Sequence, residues 1–162
     1  MLIQSNNHLL THYEKYEEPD IKVPAAQFIL NRYGIEIFHG IMPDTGAAKV
    51  SSAAEAQFHA FIKEDPEVQF DSITAGAHTI QFGSGEPVSS IGTAHVQTIF
   101  GPISFEILKT QTPFLLSLGD MDKLGIFLDN TTNQIKQRST GKTAPIIRKW
   151  GHCNGWVAGV DL

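Results

Sequence analysis

The sequence predicts a mainly β domain, a small barrel or sandwich carrying one convincing helix. Three observations lead there. Short apolar runs with alternating polarity recur from His78 to Gln137. Gly- and Pro-rich breaks such as Gly83-Ser84-Gly85-Glu86-Pro87 and Gly101-Pro102 separate them and cannot continue regular structure. Only one stretch repeats its apolar residues at the helical period.

The elements follow in chain order. Residues 1–26 are polar and acidic around Tyr13-Glu14-Lys15-Tyr16-Glu17-Glu18-Pro19-Asp20 and read as a flexible arm. Gln27-Phe28-Ile29-Leu30 and Ile35-Glu36-Ile37-Phe38, joined through Asn31-Arg32-Tyr33-Gly34, suit a β-hairpin. The second run leads through Gly40-Ile41-Met42 into Pro43-Asp44-Thr45-Gly46. Ser52 and Glu55 have capping-box spacing, and Ala54, Phe58, Phe61 and Ile62 then fall on one helical face that Pro66 ends. Strands are expected at 78–82, 88–91, 95–99, 103–108 and 114–118, with a turn at Gly101-Pro102. A helical turn over Asp120 to Leu124 precedes strands at Ile126 to Leu128 and Gln134 to Gln137. The ordered domain is thus expected over 27–138. Residues 139–162 are excluded from the core because they show no clear period. No internal repeat is visible.

Composition excludes several functions. The chain has 162 residues, the size of one ordinary domain able to bury a core. Its net charge of −5 argues against broad nucleic-acid binding, which needs a positive field. Lys136, Arg138, Lys142, Arg148 and Lys149 make a modest basic tail, the composition of a solvated segment. The single Cys153 cannot form an internal disulfide, so a reducing, cytoplasmic setting is expected. The first ten residues lack a basic region and a long apolar core, so they do not read as a signal peptide. No apolar run approaches the roughly 20 residues of a membrane span. Asn130-Thr131-Thr132 fits a glycosylation sequon but reads as a turn. His152 and Cys153 stand alone without zinc-ligand spacing, and His59, His78 and His95 read as ordinary imidazoles. No Gly-Lys-Ser/Thr follows Gly83-Ser84-Gly85, and no Gly-x-Ser-x-Gly elbow occurs. No metal or cofactor is expected.

The sharpest feature is Asp44-Thr45-Gly46-Ala47-Ala48, directly after an apolar strand. An Asp at a strand end, then a small β-branched residue and Gly, suits a tight loop. Gly46 permits positive φ and leaves room for a peptide backbone, and Thr45 can hydrogen-bond across the loop. Two such loops face to face would bring two carboxylates close enough to share one proton. One carboxylate then serves as base on a water, while the other protonates the peptide carbonyl. The plain alternative is that Asp-Thr-Gly is a turn, since these residues are common and Asp-Gly clusters usually are turns.

The surroundings add to the motif. Phe38-His39-Gly40-Ile41-Met42-Pro43-Asp44-Thr45-Gly46-Ala47-Ala48-Lys49-Val50-Ser51-Ser52 is followed by Ile80-Gln81-Phe82-Gly83-Ser84-Gly85-Glu86-Pro87-Val88-Ser89-Ser90-Ile91-Gly92. Then comes Pro113-Phe114-Leu115-Leu116-Ser117-Leu118-Gly119-Asp120-Met121-Asp122-Lys123-Leu124-Gly125-Ile126. In this order the pieces resemble the retropepsin family, specifically the protease segment of copia-type retrotransposon polyproteins of the fungal kind. The resemblance spans roughly 27–137. It implies a small closed β-barrel with one or two short helices, working as a two-fold homodimer. It implies Asp44 as catalytic aspartate, Thr45 as the brace between the two loops, and Gly46 as a backbone contact for substrate. Ala47 and Ala48, with Gly83, Ser84 and Gly85 of a hairpin flap, would bind the peptide. Leu118-Gly119 would cross behind the active-site loop. The implied substrate is the element's own polyprotein, cut without membrane attachment and linked to nucleic acid only through the parent polyprotein. Pro43 departs from the family, where most members place Leu or Ile.

Counting supports the dimer. The chain carries one Asp-Thr-Gly and no Asp-Ser-Gly, and Asp120 and Asp122 read as capping or solvated residues at a helix start. A two-fold axis supplies the second Asp44. The competing expectation is an inactive retropepsin-like module, kept for peptide binding or dimerisation in a decayed element.

Overall fold

The computed structural model describes residues 32–149 and the backbone of a strand at His152–Asn154. The N-terminal arm and the Gln27–Leu30 strand expected from sequence lie outside the described residues. The strands are β1 (Ile41–Asp44), β2 (Ser52–Ala54), β3 (Gln69–Asp71), β4 (Thr79–Ile80), β5 (Val88–Ser89), β6 (Gly92–Thr98), β7 (Gly101–Leu108), β8 (Phe114–Ser117), β9 (Ile126–Asp129), β10 (Gln134–Gln137), β11 (Thr143–Pro145), β12 (Ile147–Lys149) and β13 (His152–Asn154). The helices are α1 (Glu55–Glu64) and α2 (Leu118–Leu124). The domain is therefore mainly β with short helices. No helix among the described residues is long and apolar enough to cross a membrane.

The main sheet runs β1-β8-β2-β7-β6-β3, with β9 to β11, β4-β5 and β12-β13 as separate sheets. Among the described residues none closes into a barrel, which corrects that expectation. The two ends of the main sheet, β1 and β3, are not paired with each other. Strands β9 to β11 form their own sheet instead of bridging that gap. Two pairings are parallel, β1 with β8 and β2 with β7.

The longest signal in the sequence becomes the longest ladder. Along β7, Ile103, Phe105 and Ile107 alternate into the core, and β6 pairs with β7 from Gly92↔Ile107 to Thr98↔Gly101. The turn is Ile99-Phe100, not Gly101-Pro102, which already belong to β7. Thr98 fixes it, its hydroxyl donating to Gly101 O at 2.6 Å and accepting from Phe100 N at 3.2 Å. The Asn130-Thr131-Thr132 turn joins β9 and β10 as expected, with Asp129 Oδ1 accepting from Thr131 N at 3.0 Å.

Three local expectations need correction. Ile35–Phe38 is not a strand. Its backbone is held by side chains of the helix instead: Gln57 Nε2 donates to Gly34 O at 2.6 Å and Ile37 O at 2.9 Å, Gln57 Oε1 accepts from His39 N at 3.0 Å, and Lys63 Nζ donates to Ile35 O at 3.1 Å. Ser52 is not a helix cap. It sits buried in β2, and the residue before α1 is Ala54, which offers no side-chain bond. Glu55 in the first turn complements the helix dipole instead. The segment after Ser139 does reach the core. Ala144, paired with Ile135, and Ile146 are both buried there.

Gln57 offers a direct test of this packing. Gln57→Leu keeps the volume but orphans two carbonyls and one N–H. Segment 34–39 is expected to loosen, with a loss of about 2–3 kcal/mol in urea unfolding.

Candidate active site

Asp44 is the last residue of β1, paired in parallel with Ser117 of β8. The strand ends there because the aspartate turns the chain on itself. Gly46 N donates to Asp44 Oδ1 at 2.9 Å, and Ala47 N donates to Asp44 O at 3.1 Å. Asp44 is half-buried, while Thr45, Gly46 and Ala48 are exposed. The loop is thus rigidly tied at its base and open at its tip.

Gly46 earns its place differently from the expectation. It does not adopt a positive φ. A Cβ there would instead stand 3.1 Å from Asp44 Oδ1, crowding the carboxylate. Thr45 points to solvent, and its hydroxyl makes no hydrogen bond among the described residues. Within one chain, then, the loop is braced by backbone groups and not by Thr45. Pro43 lies in β1, an outer strand of its sheet, where a residue without an N–H is tolerated.

The brace comes from the other side. Leu118 N donates to Ala47 O at 2.9 Å, and Gly119 N donates to Ala48 O at 3.1 Å. A Cβ on Gly119 would meet Ala48 O at 3.0 Å, so this close approach needs glycine. The structure therefore brings Asp44 to Ala48 together with Leu118-Gly119. These segments lie far apart in sequence, and the parallel β1-β8 pairing joins them.

A polar knot that sequence reasoning missed locks this junction. Ser51 Oγ accepts from Ser117 N at 2.9 Å and donates to Asp120 Oδ2 at 2.6 Å. Ser117 caps α2, accepting from Asp120 N at 3.2 Å. Asp120 is thus an acceptor in a structural network, a fuller role than capping or solvation. The available signal was three small polar or acidic residues flanking buried strand ends. Ser51→Ala leaves the buried Ser117 N–H without its acceptor and Asp120 Oδ2 with only the Ser117 hydroxyl. It is expected to cost about 1–3 kcal/mol, read as a lower urea midpoint.

Gly83, Ser84 and Gly85 sit in the exposed loop between β4 and β5, a hairpin paired Thr79↔Ser89 and Ile80↔Val88. Gly83 has φ 56°, the left-handed conformation that glycine permits. Gln81 Nε2 donates to Gly85 O at 2.9 Å across the loop. This hairpin lies in sequence between β3 and β6, the strands at the end of the main sheet opposite β1. No hydrogen bond joins it to the Asp44 loop among the described residues. His59 is on α1, and His95 lies on β6 with Nδ1 3.0 Å from Ser104 Oγ. His78 lies just before β4 and is taken up below. For His152 and Cys153 only the backbone of β13 is described.

An apolar groove of about 350 Å³ lies between α1 and β3, walled by Phe58, Ile62, Val68, Phe70 and Ile91. It contains none of the loop residues. Among the described residues its polar lining groups are Glu55 and His59, 3.9 Å apart one turn from each other on the exposed side of α1, with no third group facing them. The Asp44 loop remains the candidate site on chemical grounds. No family model and no curated protein matches this sequence.

Proposed function

We propose that this chain is an aspartic endopeptidase of retrotransposon origin, active as a homodimer and acting in the cytoplasm on extended polypeptide, including its own polyprotein. One observation carries the reading: Asp44 stands half-exposed at the carboxyl end of β1, in a loop tied to Leu118-Gly119 by two backbone hydrogen bonds. A carboxylate so placed is fixed in direction yet reachable by a peptide.

Two copies of the loop facing across a two-fold axis supply the second carboxylate that the chain lacks. The paired carboxylates hold one proton between them, and water is activated by the ionised member. Thr45, exposed in one chain, is free to bond across the axis. The peptide lies extended, held by main-chain hydrogen bonds, with Gly46, Ala47 and Ala48 beneath it and Gly83 to Gly85 above.

The same exposed Thr45, bonding nothing within one chain, also fits a second reading, an inactive retropepsin-like module kept for peptide binding or dimerisation. Sedimentation velocity alongside digestion of a peptide library at mildly acidic pH separates the two. A dimer that cuts supports the protease. A monomer, or a dimer that cuts nothing, supports the module.

A further inference from the structure

The feature that the proposed chemistry leaves unexplained is a buried carboxylate in the middle of the main sheet. Glu106 of β7 is 5% exposed. It lies on the face opposite Phe105 and Ile107, between Ser52 of β2 and Thr93 of β6. Burying a carboxylate is costly unless donors surround it. Thr93 Oγ1 donates to Glu106 Oε1 at 3.0 Å, and His78 Nδ1 lies 3.2 Å from the same oxygen. The other oxygen, Oε2, is buried without a partner among the described residues. An apolar residue would fill this place more cheaply. A buried carboxylate whose side-chain partners all meet one oxygen points to the partner it holds.

That partner sits at the root of the β4-β5 hairpin. His78 immediately precedes β4, and its backbone carbonyl accepts from Ser90 N at 2.8 Å. Ser90 O accepts from Gly76 N at 2.7 Å, so both strands of the hairpin are joined at His78's level. A second tie runs beside it, since Thr74 Oγ1 and Thr93 Oγ1 are 2.6 Å apart. On its other side Glu106 is bound to the Asp44 region. Glu106 N donates to Ser51 O at 2.9 Å, and Ser51 is the residue whose hydroxyl braces Ser117. One residue of the sheet therefore touches both the hairpin's root and the support of the Asp44 loop.

We infer that Glu106 and His78 are positioning residues that anchor the hairpin root to the sheet and fix its height over bound peptide. The anchoring is a property of the fold. The effect on peptide rests on the protease reading. An imidazole protonated at Nδ1 donates to Glu106, and an Asn amide at position 78 places its nitrogen close to that point.

The test uses the full chain with His78→Leu, His78→Asn and Glu106→Gln. His78 is half-exposed and Thr93 still donates to Glu106 without it, so its replacement is the milder change where Glu106→Gln fails to fold. In His78→Leu, amide exchange at Gly76 and Ser90 is expected to accelerate about 3- to 10-fold, as for a local opening, while the β6-β7 ladder changes less than about twofold. His78→Asn restores the parent rates. For peptide cleavage, His78→Leu raises KM by a similar factor and leaves kcat within about twofold. Equal behaviour of Leu and Asn, or unchanged exchange at Gly76 and Ser90, overturns the anchor. Faster exchange with an unchanged KM overturns its role over the peptide. An anchored hairpin in a protein that cuts no peptide counts against the protease reading alone.

Discussion

Asp44→Asn is expected to abolish peptide cleavage, by about 10²- to 10⁴-fold or more, while leaving the urea midpoint where it was. The asymmetry follows from what the side chain does. Structurally, Asp44 Oδ1 accepts from Gly46 N, and an asparagine carbonyl oxygen accepts the same bond. The backbone bond from Ala47 N to Asp44 O is untouched. Chemically, an amide can neither share a proton with a second carboxylate nor take one from water. The shared site gives a second, sharper outcome. Mixed with excess Asp44→Asn chain, the parent should lose activity as mixed dimers form, since each then holds one carboxylate. If the variant cuts as well as the parent, Asp44 is not the catalytic group. If excess variant leaves the parent's rate unchanged, each site belongs to one chain and the dimer is wrong.

Much of this arrangement was readable from sequence wherever the pattern was local and long. Strands β6 to β10 and helix α2 fall within a few residues of their expected places, because alternation and Gly or Pro breaks repeat there. The Asp44 loop and its Leu118-Gly119 support were legible as motifs. Other features resisted for definite reasons. Ser52-Ala53-Ala54 carries no β-branched or aromatic residue and runs straight into α1, so Ser52 resembled a cap while being a buried strand residue. Ile35–Phe38 has a strand's apolar content, yet side chains of α1 take its hydrogen bonds, Gln57 at Ile37 O and the flanking Gly34 and His39, and Lys63 at Ile35 O. The bonds that tie Ser51 to Ser117 and Asp120 span 66 and 69 residues, and no local pattern encodes such pairs. Sheet closure is non-local in the same way. A list of strands with sound boundaries does not say which two end up as edges.

The largest expected loss of stability comes from Phe114→Ala, which bears on how the site is held. Phe114 is fully buried at the start of β8, opposite Ile41 of β1. Its ring lies 4.9 Å from Phe105 of β7, 5.2 Å from Phe38 and 5.5 Å from Phe61 of α1. It therefore joins the sheet, the helix and the irregular segment before β1 at one point. Truncation removes a ring's burial and leaves a cavity that three separate elements cannot all collapse into. A cost of about 3–5 kcal/mol is expected, against a total of about 5–15 for a domain. With a denaturant slope of about 1–3 kcal/mol per molar urea, the midpoint falls by more than about 1 M. Phe127, 41% exposed on β9, is the control, and Phe127→Ala should move the midpoint little. The consequence for the site is specific. Three residues along from Phe114, β8 ends at Ser117 and leads into Leu118 and Gly119 at the start of α2, the supports of the Asp44 loop. Cleavage by Phe114→Ala should accordingly fall with the folded fraction as urea rises, with no separate loss at low denaturant. An unchanged midpoint would show that the aromatic cluster does not hold β8, and with it the proposed support of Asp44.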